Sequence, residues 1–188
     1  MNITNTPFED LVVLEPRIFE DERGFFFESY NNETLLKSGL RTVFVQDNQS
    51  HSQQWVIRGL HFQHPPFEQT KLVRVLNGVI QDVVVDMRKD QPTYKKSFSI
   101  VLSSENKKQL WVPKGFAHGF LVISEFADVL YKCDEHYHPE AEGGIFYDDK
   151  ELSIIWQLEG SKVIISSKDL ILPLSKDVNY EHVSKNRI

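Results

Sequence analysis

The sequence predicts an all-β fold, a jelly-roll barrel with a few short helices, and three observations predict it. Short β-branched and aromatic runs recur from residue 23 to residue 133. Gly, Pro and Asn punctuate those runs at short spacing, and helical patterning is confined to brief stretches.

In order along the chain, "RGFFFESY" (23–30) and "TVFVQDNQS" (42–50) read as strands, with "NNETLLKSGL" (31–40) between them as one or two helical turns behind an Asn cap. The runs Lys71–Leu76 and Val79–Asp86 flank Asn77-Gly78, a dipeptide that predicts a β-hairpin. "SFSIVLS" (97–103), "KQLWVP" (108–113), "HGFLVIS" (118–124) and "DVLYKC" (128–133) follow as further strands, and residues 147–156 as a short helix. No repeat, linker or composition break interrupts the chain, so 1–188 is expected to be one domain, with 176–188 a solvated extension.

Composition narrows the function. Of the 188 residues, 40% are hydrophobic and 26% charged, the balance of an ordinary globular chain. The net charge of -6 supplies no global field for nucleic acid or anionic lipid, so any anion must be held by a local Arg or Lys cluster. Cys133 is the only cysteine, which excludes an intrachain disulfide and a cysteine zinc site. No basic-then-apolar leader opens the chain and no apolar run nears the ~20 residues of a membrane helix. A cytoplasmic protein with no membrane or nucleic-acid partner is expected.

Alternate residues of a barrel strand point inward, and four strands each place one polar group among apolar neighbours. His61 shares a regular strand face with Ile57 and Gly59, Lys71 with Val73 and Val75, Tyr131 with Val129 and Cys133, and His118 with Phe120 and Val122. Singly, each is an ordinary structural residue. Together, a base, a cation and a phenol suit proton abstraction. Arg23 and Arg58 stand beside glycines, where a guanidinium fork can meet a phosphate. Phe25, Phe26 and Phe27 in a row must leave an aromatic for a nucleobase or for another subunit.

"PKGFAHG" (113–119) is similar to the second metal-binding motif of the cupins, but the first motif is broken. Lys71 stands seven residues before Gly78, where the ligand Glu belongs, and Pro66 or Phe67 replaces the second His. His61, His64 and Glu68 straddle the Pro65-Pro66 turn and share no strand face. No metal and no other cofactor is expected.

The blocks "DERGFFFESYN", "FVQDNQSHS", "IRGLHFQHPPFEQTKLVRVLNGVIQDVVVDMRKDQPTY", "LSSENKKQLWVPKGFAHGFLVISE", "LYKCDEHYHPEAEGGI" and "SSKDLILPLS" occur in that order. Through them the chain resembles, from about residue 8 to about 175, the dTDP-4-dehydrorhamnose 3,5-epimerases, metal-free enzymes of the cupin class. The resemblance implies a cupin-type double-stranded β-helix that forms a homodimer. It also implies epimerisation at C3 and C5 of dTDP-4-dehydro-6-deoxy-D-glucose. Position by position, His61 corresponds to the general base, Asp169 to the carboxylate that orients it, and Tyr131 to the acid on the other face of the sugar. Lys71 corresponds to the residue near the C4 oxygen, with Arg58 and His118 lining the same pocket. Gln46 and Asn48 correspond to polar contacts with the sugar nucleotide. Arg23, Phe26 and Glu28 correspond to a nucleotide-binding strand given by the partner subunit. Tyr137 aligns with a tyrosine close to the ligand, whereas His136 stands where an aromatic is usual. A mono-epimerase of a related nucleotide sugar is the nearest alternative. A metal-dependent cupin oxygenase or isomerase, or a non-catalytic binding module, would be a different class. In a regular strand Arg58 and His61 point to opposite faces, so the resemblance also predicts a bend or bulge at Gly59.

Overall fold

The computed structural model describes residues 1–158, 160 and 162–182. The first half of the chain runs β1 (Asn2–Asn5), β2 (Val12–Glu15), β3 (Ile18–Asp21), β4 (Gly24–Phe27), α1 (Asn32–Lys37), β5 (Gln46–Gln53), β6 (Ile57–Gln63), β7 (Lys71–Asn77) and β8 (Val79–Asp86). The second half adds β9 (Ser97–Ser103), β10 (Gln109–Val112), β11 (Phe116–Val122), β12 (Phe126–Cys133), β13 (Glu142–Gly144) and α2 (Ser167–Leu170).

These strands build a six-stranded sheet in the order β1-β2-β10-β7-β12-β5 and a five-stranded sheet in the order β13-β6-β11-β8-β9, with antiparallel pairing throughout; β3 and β4 form a separate ribbon. The all-β, cupin-type expectation holds. Between the sheets, Val73, Val75, Leu110 and Val129 from one meet Ile80, Val84, Leu102 and Phe120 from the other. Burying each such side chain contributes about 1.5–3 kcal/mol. The outer face of the six-stranded sheet is covered by Leu35 of α1, Tyr30 and Phe44, which pack on Leu14, Leu72 and Trp111. Asn31 caps α1 as expected, its side chain accepting from the Thr34 N–H.

Four expectations need correction. β7 and β8 do not pair: β7 lies between β10 and β12, and β8 between β11 and β9. Asn77-Gly78 is therefore a corner between sheets, not a hairpin. Gly78 has φ +80°, and a Cβ there would fall 2.1 Å from the Phe126 carbonyl oxygen. A corner and a hairpin turn both need a residue at positive φ, so the dipeptide marks either. Second, β5 begins at Gln46 rather than Thr42, because its partner β12 ends opposite it at Cys133. Third, the 147–156 helix is a single 3₁₀ turn, Lys150–Leu152, capped by Asp149.

The fourth correction concerns the C-terminus. Residues 176–182 are not a solvated extension, since Tyr180 is buried and joins Val178 against Leu60, Phe62, Val83 and Val85 on the outer face of the five-stranded sheet. That face is apolar on three strands, β6, β8 and β11, and would otherwise meet water. The rest of the expected extension, 183–188, lies outside the described residues. Among the described residues no helix is long and apolar enough to cross a membrane.

Candidate active site

The space between the sheets is apolar at one end and polar at the other. The polar end opens as a cleft of about 560 Å³ lined by Arg58, His61, Lys71, His118, Tyr131 and Asp169 among others. A neighbouring cavity of about 220 Å³ shares His61, Lys71 and Tyr131 and adds Gln46, Asn48, Tyr137 and Glu142. His61 and His118 come from β6 and β11 of the five-stranded sheet, where they are direct register partners. Lys71 and Tyr131 come from β7 and β12 of the opposite sheet.

Arg58 and His61 reach the same cleft because β6 bulges. Facing β11, His61 pairs with His118 and Arg58 with Phe120, so Gly59 and Leu60 stand against the single residue Gly119. Gly59 has φ +110°, and a Cβ on it would lie 2.7 Å from both Gly119 Cα and the His118 carbonyl oxygen. Only glycine fits that position.

His61 Nε2 lies 2.8 Å from Asp169 Oδ1. The other carboxylate oxygen accepts the Gly59 N–H at 3.2 Å, and Ser166 caps α2 by accepting the Asp169 N–H. Burial alone would raise the Asp169 carboxyl; the His61 hydrogen bond and charge, with the Gly59 amide, outweigh it and hold the group below the usual carboxylate range. An ionised carboxylate only accepts, so Nε2 carries the proton and the Nδ1 lone pair is left to act as a base. The Asp is 5% exposed at its side chain and the His 30%, as suits an anchor and a group that meets ligand.

Burial pushes the Lys71 ammonium down and the Tyr131 phenol up. Lys71 Nζ sits 5.9 Å from the centre of the Tyr131 ring. Tyr131 thus keeps its proton through neutral pH. Arg58 is steadied by donating from Nε to Ser52 Oγ at 2.9 Å. Gln46 donates to Asn48 Oδ1 at 3.0 Å and accepts the Tyr137 N–H at 3.1 Å, and Asn48 donates to Cys133 Sγ at 3.7 Å.

Sequence reasoning missed three residues. Asp82 is fully buried and faces His118 Nε2 through both oxygens, at 3.1 and 2.9 Å, making a second His–Asp pair. An inward carboxylate in the apolar run "VIQDVVVD" is the signal that points to it. Glu142 accepts from the Tyr137 hydroxyl at 2.6 Å and from Lys168 at 2.5 Å. Lys168 itself lines the larger cleft.

Arg23, Phe26 and Glu28 are not brought to the cleft. Arg23 is paired with Asp21 at the end of the β3–β4 ribbon, Phe26 is 71% exposed, and Glu28 accepts from Asn31. The alternative ligand set His61, His64 and Glu68 is not gathered either. His61 is engaged with Asp169, while Glu68 is taken up by Tyr180 and His182. Among the described residues no three His, Cys, Asp or Glu side chains form a metal-holding group.

Residues 5–177 match the family described as dTDP-4-dehydrorhamnose 3,5-epimerase. The enzyme of that name from Escherichia coli K12 is 48% identical over 172 residues, covering 90% of this chain and 91% of its own. The epimerase of Legionella pneumophila, solved in complex with dTDP-4-keto-L-rhamnose, superposes with a TM-score of 0.91 at 47% identity, covering 95% of this chain and 94% of its own. That of Bacillus anthracis, solved with TDP and PPi bound, gives a TM-score of 0.89 at 49% identity over 92% and 98% of the two chains. The chain belongs to the dTDP-4-dehydrorhamnose 3,5-epimerase family.

Proposed function

We propose that this protein inverts C3 and C5 of dTDP-4-dehydro-6-deoxy-D-glucose to give dTDP-4-dehydro-L-rhamnose. The observation that carries the reading is that His61, backed by Asp169, and Tyr131 line one cleft from opposite sheets. The relatives' names and the ligand of the Legionella enzyme support the substrate.

The 4-keto group makes the hydrogens on C3 and C5 acidic. His61 takes one of them, the C–H bond breaks, and its electron pair delocalises onto the C4 oxygen as an enolate. The Lys71 ammonium stabilises that oxygen's charge. Tyr131 then donates its proton to the carbon from the opposite face, and solvent restores both groups to their starting protonation. Repetition at the second carbon completes the reaction, and no hydride or electron leaves the sugar, so no redox cofactor is called for. Arg58 supplies the cation for the pyrophosphate, His118 with Asp82 binds polar groups of the sugar, and Gln46, Asn48 and Tyr137 extend the site along the smaller cavity.

In this reading the protein acts as a homodimer. The ribbon carrying Arg23, Phe26 and Glu28 stands away from its own cleft, and its exposed Phe25 and Phe26 suit a second copy's surface and nucleotide. The cytoplasm is the compartment the reading assigns, for a nucleotide-sugar substrate and a free buried thiol at Cys133.

Incubation with dTDP-4-dehydro-6-deoxy-D-glucose in heavy water, followed by NMR, tests the proposal. Deuterium at both C3 and C5 is the expected result. Deuterium at one carbon only would make the protein a mono-epimerase, and none at either would reject the reading.

A further inference from the structure

The segment Val178–His182 reaches the connection that joins His61 to Lys71. Tyr180 is 1% exposed. Its ring meets Phe62 edge-on at 4.8 Å between centres and lies 5.9 Å from His64, and its hydroxyl donates to Glu68 Oε1 at 2.6 Å. His182 Nδ1 stands 2.6 Å from the same oxygen. Glu68 is buried, so its carboxyl group has exchanged water for these two partners, and short hydrogen bonds to a carboxylate are among the strong ones. The imidazole also packs on the turn entering β11, where a Cβ on Gly115 would lie 3.3 Å from Nδ1.

Glu68 lies three residues before Lys71, which opens β7. Neighbouring residues of the same connection are tied elsewhere. Gln63 donates to the Phe67 and His136 carbonyls at 2.7 and 3.0 Å, Gln69 to the Glu135 carbonyl at 2.8 Å, and the Thr70 N–H to Asp134 at 2.6 Å. Apart from the Gln63–Phe67 bond, which stays within the connection, those ties reach the segment after β12; Glu68 reaches the C-terminal segment. Lys71 needs such support, because among the described residues its ammonium has no ion-pair partner and meets the Tyr131 ring instead. A side chain without a tether of its own is placed by its backbone.

We propose that Tyr180 and His182 are positioning residues for the reaction: they clamp Glu68, and the clamped connection sets where β7 begins and hence where Lys71 meets the substrate. The inference rests on the role given to Lys71 above. It predicts a cost in turnover rather than in binding, since a misplaced ammonium fails the developing enolate charge more than the bound ketone.

Three variants test it: Tyr180→Phe, which keeps the ring and loses the hydroxyl, Glu68→Leu, and Glu68→Gln, which keeps an acceptor for Tyr180. Steady-state rates with dTDP-4-dehydro-6-deoxy-D-glucose are read beside amide hydrogen exchange of residues 69–71 in the substrate-free protein. Tyr180→Phe and Glu68→Leu are expected to lower kcat about tenfold with little change in KM and to speed exchange at 69–71. Glu68→Gln should restore most of kcat. Folded Tyr180→Phe protein with parental kcat and parental exchange overturns the proposal, as does Glu68→Gln behaving like Glu68→Leu. A parent without turnover would reject the epimerase reading instead; the clamp then stands or falls on the exchange rates of Tyr180→Phe alone.

Discussion

Arg58 and His61 lie three residues apart on one strand and line the same cleft, because β6 carries Gly59 and Leu60 opposite the single residue Gly119. The two side chains would point to opposite faces of a regular strand. Gly59→Ala tests the link. Its methyl would collide at 2.7 Å with two backbone atoms of the His118–Gly119 peptide, at a φ that L-residues avoid. Backbone strain alone costs about 1–3 kcal/mol. The expected outcome is a lowered Tm together with loss of epimerase turnover, read by calorimetry and by the exchange assay; a variant with normal Tm and turnover would show that the bulge does not place the pair.

Asp169→Asn keeps the size of the side chain and removes its charge. The amide leaves His61 without the acceptor that fixes its tautomer, and turnover should fall by about 10²–10⁴-fold. The pH dependence of stability has a definite sign. The Asp169 carboxyl is held below its usual value in the fold, so its contribution is present above roughly pH 4 and is lost as pH falls through the folded value. Denaturant midpoints of the parent should therefore drop toward acid more steeply than those of Asp169→Asn.

Lys71 carries the opposite balance of stability and activity. Burial lowers its ammonium pKa, so the charged form costs the folded state something at neutral pH, and that cost is relieved as pH rises through the folded value. Lys71→Met should raise Tm at pH 7 while lowering kcat by about 10²–10³-fold. In the parent, the alkaline fall in rate should come below the roughly 10.4 of an exposed lysine. A Lys71→Met protein of lower Tm, or an alkaline limb unmoved by the substitution, would count against this assignment.

Tyr131→Phe separates the two halves of the reaction. In the proposed mechanism, proton abstraction by His61 does not need the phenol, whereas return of a proton on the other face does. In heavy water, exchange of substrate hydrogens should persist while inverted product falls about 10²–10⁴-fold. Equal loss of exchange and inversion would remove Tyr131 from the role of acid.

Much of this was legible in the residues. Period-two alternation put His61, Lys71, His118 and Tyr131 on inward faces, and all four line the cleft. The bulge at Gly59 followed from the family resemblance, which puts Arg58 and His61 in one pocket, and the register of β6 against β11 carries it. What was not legible has physical causes. Asn77-Gly78 reads alike for a hairpin and for a corner between sheets. Asp82 interrupts an apolar run at an inward position, but its partner His118 lies 36 residues away on another strand, so the pair is not visible from spacing. The stretch "SKDVNYEH" is polar enough to read as solvated, and Tyr180 is buried only because the outer face of the five-stranded sheet needs a cover. Asp169 stands so far from His61 in the chain that its part came from the family resemblance and not from spacing.

That separation, 108 residues between the members of one hydrogen-bonded pair, bears on how the protein comes into being. Sheets whose neighbouring strands come from remote parts of the chain fold in milliseconds to seconds rather than microseconds. A ribosome adding about 5–20 residues per second finishes His61, Lys71 and Tyr131 seconds before it reaches α2. Over that interval the imidazole has no Asp169 carboxylate to lean on, even where the strands have begun to pair. In the proposed mechanism turnover cannot precede the docking of this four-residue helix, so its first appearance marks a late step in the making of the protein.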